Sequence, residues 1–193
     1  MQLRNLINPA EHIIIKIKEF DMITENSLEE LPRDKLAELC RIYAKNWLAH
    51  DGSWFLSVEE KFGIDTAMDI DREAWKKFTV VEASRLITFL GLGKNSGIEG
   101  LKKALLFRLY SSLNIDEIVK ENDTTLIYRV KTCRVQQARH LKGLDYFPCK
   151  SVGIVEYRLF AKTIDERFET EAVSCHPDIT EPGFNCIWKF TLR

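Results

Sequence analysis

The apolar positions of the chain change their period along its length. In "IIIKIKEF", residues 13 to 20, Ile13, Ile15 and Ile17 share a face at a period of two, which predicts a short strand whose lysines suit a sheet edge. From Leu36 the spacing turns helical. Leu39, Cys40, Tyr43, Trp47, Trp54, Val58 and Phe62 follow it and Gly63 closes the run, so one long helix, bent at Gly52, is expected. A second helix is predicted from "DIDREAW" through "KKFTVVEASRLITFL", with acids suiting its positive N-terminal end and Gly91 and Gly93 stopping it. "GIEGLKKALLFRLYSSL" reads as a third helix and "IDEIVKE" as a shorter one.

After Asp123 the period shortens again. "TTLIYRVKTC", "RFETEAVSC" and "CIWKFTLR" alternate and are rich in β-branched and aromatic residues, which predicts three strands. Between the first two lie "RVQQARHLKGL", a short helix ended by Gly143, and "KSVGIVEYRLFAKTID", a helix with Val152, Val155 and Leu159 on one face. The expected class is α+β: an N-terminal helical region packed on a C-terminal antiparallel or mixed sheet with two intervening helices. A mainly helical region over 1–122 and a cysteine-bearing α+β region over 123–193 would together form one compact unit, the default for 193 residues.

Charge narrows the partners. With 28 Lys and Arg against 29 Asp and Glu, the chain has no single-sign field to hold a phosphate backbone, so nucleic acid is not an expected partner. No apolar run reaches the length of a membrane span, and the N-terminus lacks the pattern of a signal peptide. Five cysteines without an export signal point to reducing, cytoplasmic surroundings, where thiols serve as ligands, nucleophiles or filler.

The cysteines are the chief candidate chemistry. In "SCHPDITEPGFNC", Cys175 ends one predicted strand and Cys186 begins the next, and directly opposed antiparallel residues have Cα atoms about 4.5–5.5 Å apart. Cys133 joins the same end of the sheet if its strand runs parallel to the one ending at Cys175. Cys149 precedes the helix that returns the chain to the strand at Phe168. Three readings stay open: small buried hydrophobes; a metal site, with zinc as candidate, on Cys133, Cys149, Cys175 and Cys186; or a reactive thiol. His140 or His176 could replace one metal ligand. In the thiol reading Cys149 is the nucleophile, activated by a helix N-terminus and Lys150, with His140 or His176 as base.

"NWLAHDGSWF" supplies a second candidate. Trp47, Asp51 and Trp54 share a helical face with His50 at its margin, and a carboxylate between two indoles must be paired, hydrogen-bonded or protonated. It is therefore a structural anchor or part of a ligand pocket. "GLGKNSG" lacks the order of a phosphate-binding loop.

"WLAHDGSWF", "EAW", "VEASRL", "CRVQQARHLKGLDYFPCKSVGIVEYRLFAKTID", "CHPD" and "CIWKF" together resemble an uncharacterised family of cytosolic bacterial and archaeal proteins, over roughly residues 30 to 193. The order Cys149, helix, strand, Cys175, loop, Cys186, aromatic strand is more distantly similar to 4-vinyl reductase domains and to the L-2-amino-thiazoline-4-carboxylic acid hydrolase family. Those resemblances imply a ligand pocket between helices and an antiparallel sheet, with cysteines able to hold zinc. The expected function is small-molecule or metal-ligand binding, with Trp47, His50, Asp51 and Trp54 as pocket residues. The alternative is hydrolysis of a small cyclic amide or thiazoline by Cys149 or a metal-bound water. A small-molecule ligand and, in a homo-oligomer, further copies of the chain are the expected partners.

Overall fold

The computed structural model describes residues 28–193, so the strand expected at 13–20 lies outside them. The chain divides into two compact units between Cys40 and Arg41. Of the first, residues 28–40 hold a turn over 28–30 and the opening of helix α1 (Arg33–Phe62), where Lys35 and Glu38 form an exposed ion pair at 2.8 Å.

The second unit carries the rest of the fold. Beyond α1 come α2 (Ile64–Leu90), α3 (Gly97–Leu106), a short 3-10 turn (Leu109–Ser112), strands β1 (Ile115–Asn122) and β2 (Thr125–Thr132), α4 (Arg134–Leu141), α5 (Lys150–Ile164), β3 (Phe168–Cys175) and β4 (Cys186–Leu192). The sheet runs β1-β2-β4-β3 with every neighbouring pair antiparallel, giving the expected α+β class. Since β2 and β3 both oppose β4, they are parallel to each other, and Cys133, Cys175 and Cys186 fall at one end of the sheet. The Thr125–Thr132 and Ile115–Asn122 hairpin turns at Asp123, so residue 122 lies inside a hairpin. Among the described residues no helix is long and apolar enough to cross a membrane.

One face of the sheet is covered by α5 and α3. Leu126, Tyr128 and Val130 of β2 and Trp188 and Phe190 of β4 meet Phe160 and Ile164 of α5 and Leu101 of α3 in one buried cluster. Each such side chain contributes about 1.5–3 kcal/mol when fully buried. A second cluster joins Trp75, Tyr110, Phe147 and Val152 to the half-buried Trp47, Leu48 and Phe55 of α1.

Four expectations are corrected. "IDEIVKE" is strand β1: Asp116 and Ile118 alternate with exposed neighbours, and pairing with β2 overrides the i, i+4 charge spacing that reads as helix. The third helix stops at Leu106, because Arg108 is extended (φ −62°, ψ 153°). The second starts at Ile64, immediately after Gly63. Helix α5 buries Val152, Gly153, Glu156, Tyr157, Phe160, Ala161 and Ile164, and leaves Val155 and Leu159 half-buried, so its inner face is turned from the expected one and contains a carboxylate.

Candidate functional site

The α5 N-terminus sits against the β3–β4 loop because the Lys150 N–H donates to the His176 carbonyl at 2.9 Å. That bond brings Cys149, the N-cap of α5, to the end of β3. The Cys149 and Cys175 sulfurs are 3.7 Å apart. Cys175 is paired across the ladder with Cys186, whose sulfur accepts the Trp188 indole N–H at 3.2 Å. Asn185 ties the other side: its side-chain oxygen accepts the Cys133 N–H at 2.7 Å and its own N–H donates to the Val130 carbonyl. Gln136 clamps the 147–149 segment, exchanging two hydrogen bonds with the Phe147 backbone (2.8 and 2.9 Å) and reaching the Cys149 sulfur at 3.6 Å.

All four of these cysteines line one pocket of about 680 Å³, open to solvent on one side and walled by α1, α2, α4, α5 and the sheet end. Its aromatic wall comes from Phe55, Trp75, Tyr110, Phe147 and Trp188. Three carboxyls face it from three helices: Asp51 of α1, Asp71 of α2 and Glu156 of α5. Asp71 is 8% exposed. Burial pushes it up to about 7, and the nearby Asp51 and Glu156 add to the rise against a hydrogen bond from the Trp75 indole. Glu156 is likewise driven up to about 7, by burial first, with Arg108 opposing. Burial also raises Asp51, which His50 partly offsets.

Beneath the cavity Arg108 bridges two carboxylates. Its Nε and Nη2 donate to Glu82 at 3.0 and 2.7 Å, and Nη1 lies 2.7 Å from Glu156 Oε1. The second contact is a buried ion pair, so both carboxylates are partnered by the one guanidinium. The guanidinium also lies over the Phe160 ring, 4.5 Å from its centre.

The thiols of Cys133, Cys149 and Cys175 are held protonated. Cys149 is raised above its ordinary range first by its hydrogen bond to Cys175 and then by burial. The same contact lowers Cys175, but Cys186 and burial outweigh it. Burial drives Cys133 up to about 11. The expected activation of Cys149 is therefore reversed. Lys150 is bonded instead to Asp178 at 2.8 Å. Neither expected base lines the cavity: His140 is exposed in the last turn of α4, and His176 stacks on Tyr146 with ring centres 4.5 Å apart. Among the described residues no three His, Cys, Asp or Glu side chains form a group that could hold a metal ion.

Over residues 29–192 the sequence matches a family model described as "Family of unknown function (DUF6125)". The chain belongs to this family. No curated protein and no solved structure matches it.

Of the four residues expected as pocket walls, the structure places Asp51 on the cavity. Trp47 instead packs edge-on to Trp75 at 5.9 Å and stacks on Phe78 at 5.2 Å. Trp54 is 48% exposed and His50 is exposed, although their i, i+3, i+4, i+7 spacing puts them on the same side of α1 as Trp47 and Asp51. Asp71, Glu156 and Arg108 went unread in the sequence. Both acids sit in i, i+4 ladders of buried residues, Ala67-Asp71-Trp75-Thr79 and Val152-Glu156-Phe160-Ile164. A carboxylate inside such a ladder is the signal that identifies them.

Proposed function

We propose that residues 41–193 bind a small organic molecule in the cavity between the helices and the cysteine end of the sheet. One observation carries this reading. The unit holds an open pocket of about 680 Å³, within the range of ligand pockets, with aromatic walls and a few convergent polar groups. Carboxyls displaced toward neutrality by burial in such a space are typical of functional sites.

A zinc ion on the sulfurs is the second reading. The 3.7 Å between Cys149 and Cys175 is close to the about 3.8 Å edge of a tetrahedron with thiolate bonds of about 2.3 Å. Two sulfurs are not a zinc site, however, and no grouped third ligand supports them among the described residues. Hydrolysis through Cys149 lacks a cavity-lining histidine to take the thiol proton.

Gly52 supplies the test. It lies in α1 on the cavity wall, and a Cβ added there meets nothing within 4 Å. Gly52→Phe should fill the space without disturbing the helix. A thermal-shift screen of small aromatic and heterocyclic compounds is expected to give compounds that raise the melting temperature of the wild type and leave Gly52→Phe unmoved. Compounds that shift both proteins equally, or a screen that shifts neither, would contradict the reading.

A further inference from the structure

We propose that Cys149 and Cys175 form a reversible dithiol/disulfide pair whose co-substrate is a low-molecular-weight disulfide of the glutathione class, admitted through the open pocket. The pair does not depend on the pocket holding any other ligand. Its sulfurs are 3.7 Å apart although the residues are 26 positions apart in the chain. Closing 3.7 Å to a bond of about 2.05 Å needs an approach of about 1.7 Å, on the scale of a side-chain rotation. The backbone around the pair is already tied. The Lys150 N–H donates to the His176 carbonyl at 2.9 Å, so the residues that follow the two cysteines are hydrogen-bonded to each other. The Gly153 N–H donates to the Cys149 carbonyl at 2.8 Å, and the Cys175 N–H donates to the Asp178 carbonyl at 3.1 Å.

The two thiols are unequally placed. Cys175 is fully buried at the end of β3, Cys149 is half-buried at the α5 N-terminus, and both line the pocket. Cys149 is therefore the thiol that meets the small disulfide. Its sulfur attacks one sulfur of that molecule, the S–S bond breaks, and the expelled thiolate takes up the proton that Cys149 gives up. The Cys175 sulfur then attacks the Cys149 sulfur of the mixed disulfide, and the second small thiol leaves with the Cys175 proton. In sum the protein gives up two electrons and two protons, and the small disulfide becomes two thiols. Cys186 is the other thiol beside Cys175, but its sulfur is engaged by the Trp188 indole N–H at 3.2 Å. Both Cys149 and Cys175 stay protonated at neutral pH, which slows the exchange. It also withholds the thiolate stabilisation that favours the reduced form in strongly oxidising pairs.

The test incubates the fully reduced full chain with oxidised glutathione in the absence of air, labels the remaining thiols with N-ethylmaleimide in denaturant, and maps the peptides by mass spectrometry. Wild type is expected to label at three of its five cysteines, to show a Cys149–Cys175 link, and to recover all five on adding dithiothreitol. Closing a loop of this length should also raise the melting temperature by about 5–10 °C. In Cys175→Ser the reaction should stop at a glutathione adduct on Cys149, and Cys149→Ser should form no bridge. Cys40→Ser, at an exposed position, should behave as wild type. Five labelled cysteines in oxidised wild type, a map that links a different pair, or an undiminished yield of bridge in Cys149→Ser would each overturn the proposal.

Discussion

Cys149 is a helix N-cap beside a lysine, a setting that lowers a thiol's pKa in general. Here a second thiol at 3.7 Å and burial reverse the effect. Alkylation mapped by mass spectrometry at neutral pH should therefore label the exposed Cys40 well before Cys133, Cys149 or Cys175. For Cys133, a rise from 9.0 to about 11 lowers the thiolate fraction about a hundredfold. Labelling of Cys149 at the pace of Cys40 would contradict this. At Asp71 the sign of linkage is opposite to that of an ordinary surface acid. Its folded value of about 7 exceeds 3.8, so between these values the native state binds more protons than the unfolded chain. Stability falls as pH rises through that window, by at most ~4 kcal/mol. Asp71→Asn should flatten the fall and melt higher than wild type at about pH 8; an unchanged pH profile would exclude the assignment. Sequence pattern exposed the sulfurs because cysteines are rare and their strand ends are marked. It hid Asp71 and Glu156, since an acid at a helix start or among charged neighbours looks solvated until the helix face is known.

Two helical glycines separate propensity from packing. Gly52 has open space where a Cβ would go, whereas at Gly153 the added atom would lie 2.8 Å from the Trp188 ring. Gly52→Ala is expected to stabilise α1 by about 0.5–1 kcal/mol. Gly153→Ala should destabilise by about 1–3 kcal/mol despite the same propensity gain, since the buried indole must move. Urea unfolding of both variants reads the signs, and a stabilising Gly153→Ala would disprove the close approach of α5 to β4. The C-terminal strands and α5 were legible in the sequence because period and turn residues agree there. Strand β1 was not: its charges fit either period, and only the partner strand decides between them. The inner face of α5 was misread for a related reason, as Gly153 and Glu156 carry no apolar mark although both are buried.

At the scale of the whole unit, Arg108 links α2 to α5 through Glu82 and Glu156 beneath the cavity. Removing it leaves two buried carboxylates unpaired. Arg108→Ala should lose about 3–5 kcal/mol, and denaturation near pH 5, below the raised value of Glu156, should recover part of that loss. A loss below about 1 kcal/mol would mean the ion triad does not join the helices. The central claim is that the space between these helices and the cysteine end of the sheet is a binding site. It is tested most directly by calorimetric titration of one compound from the thermal-shift screen into wild type and Gly52→Phe. Saturable one-site binding by wild type, absent in a variant that melts no lower, is the predicted result; equal binding by the two proteins would contradict it.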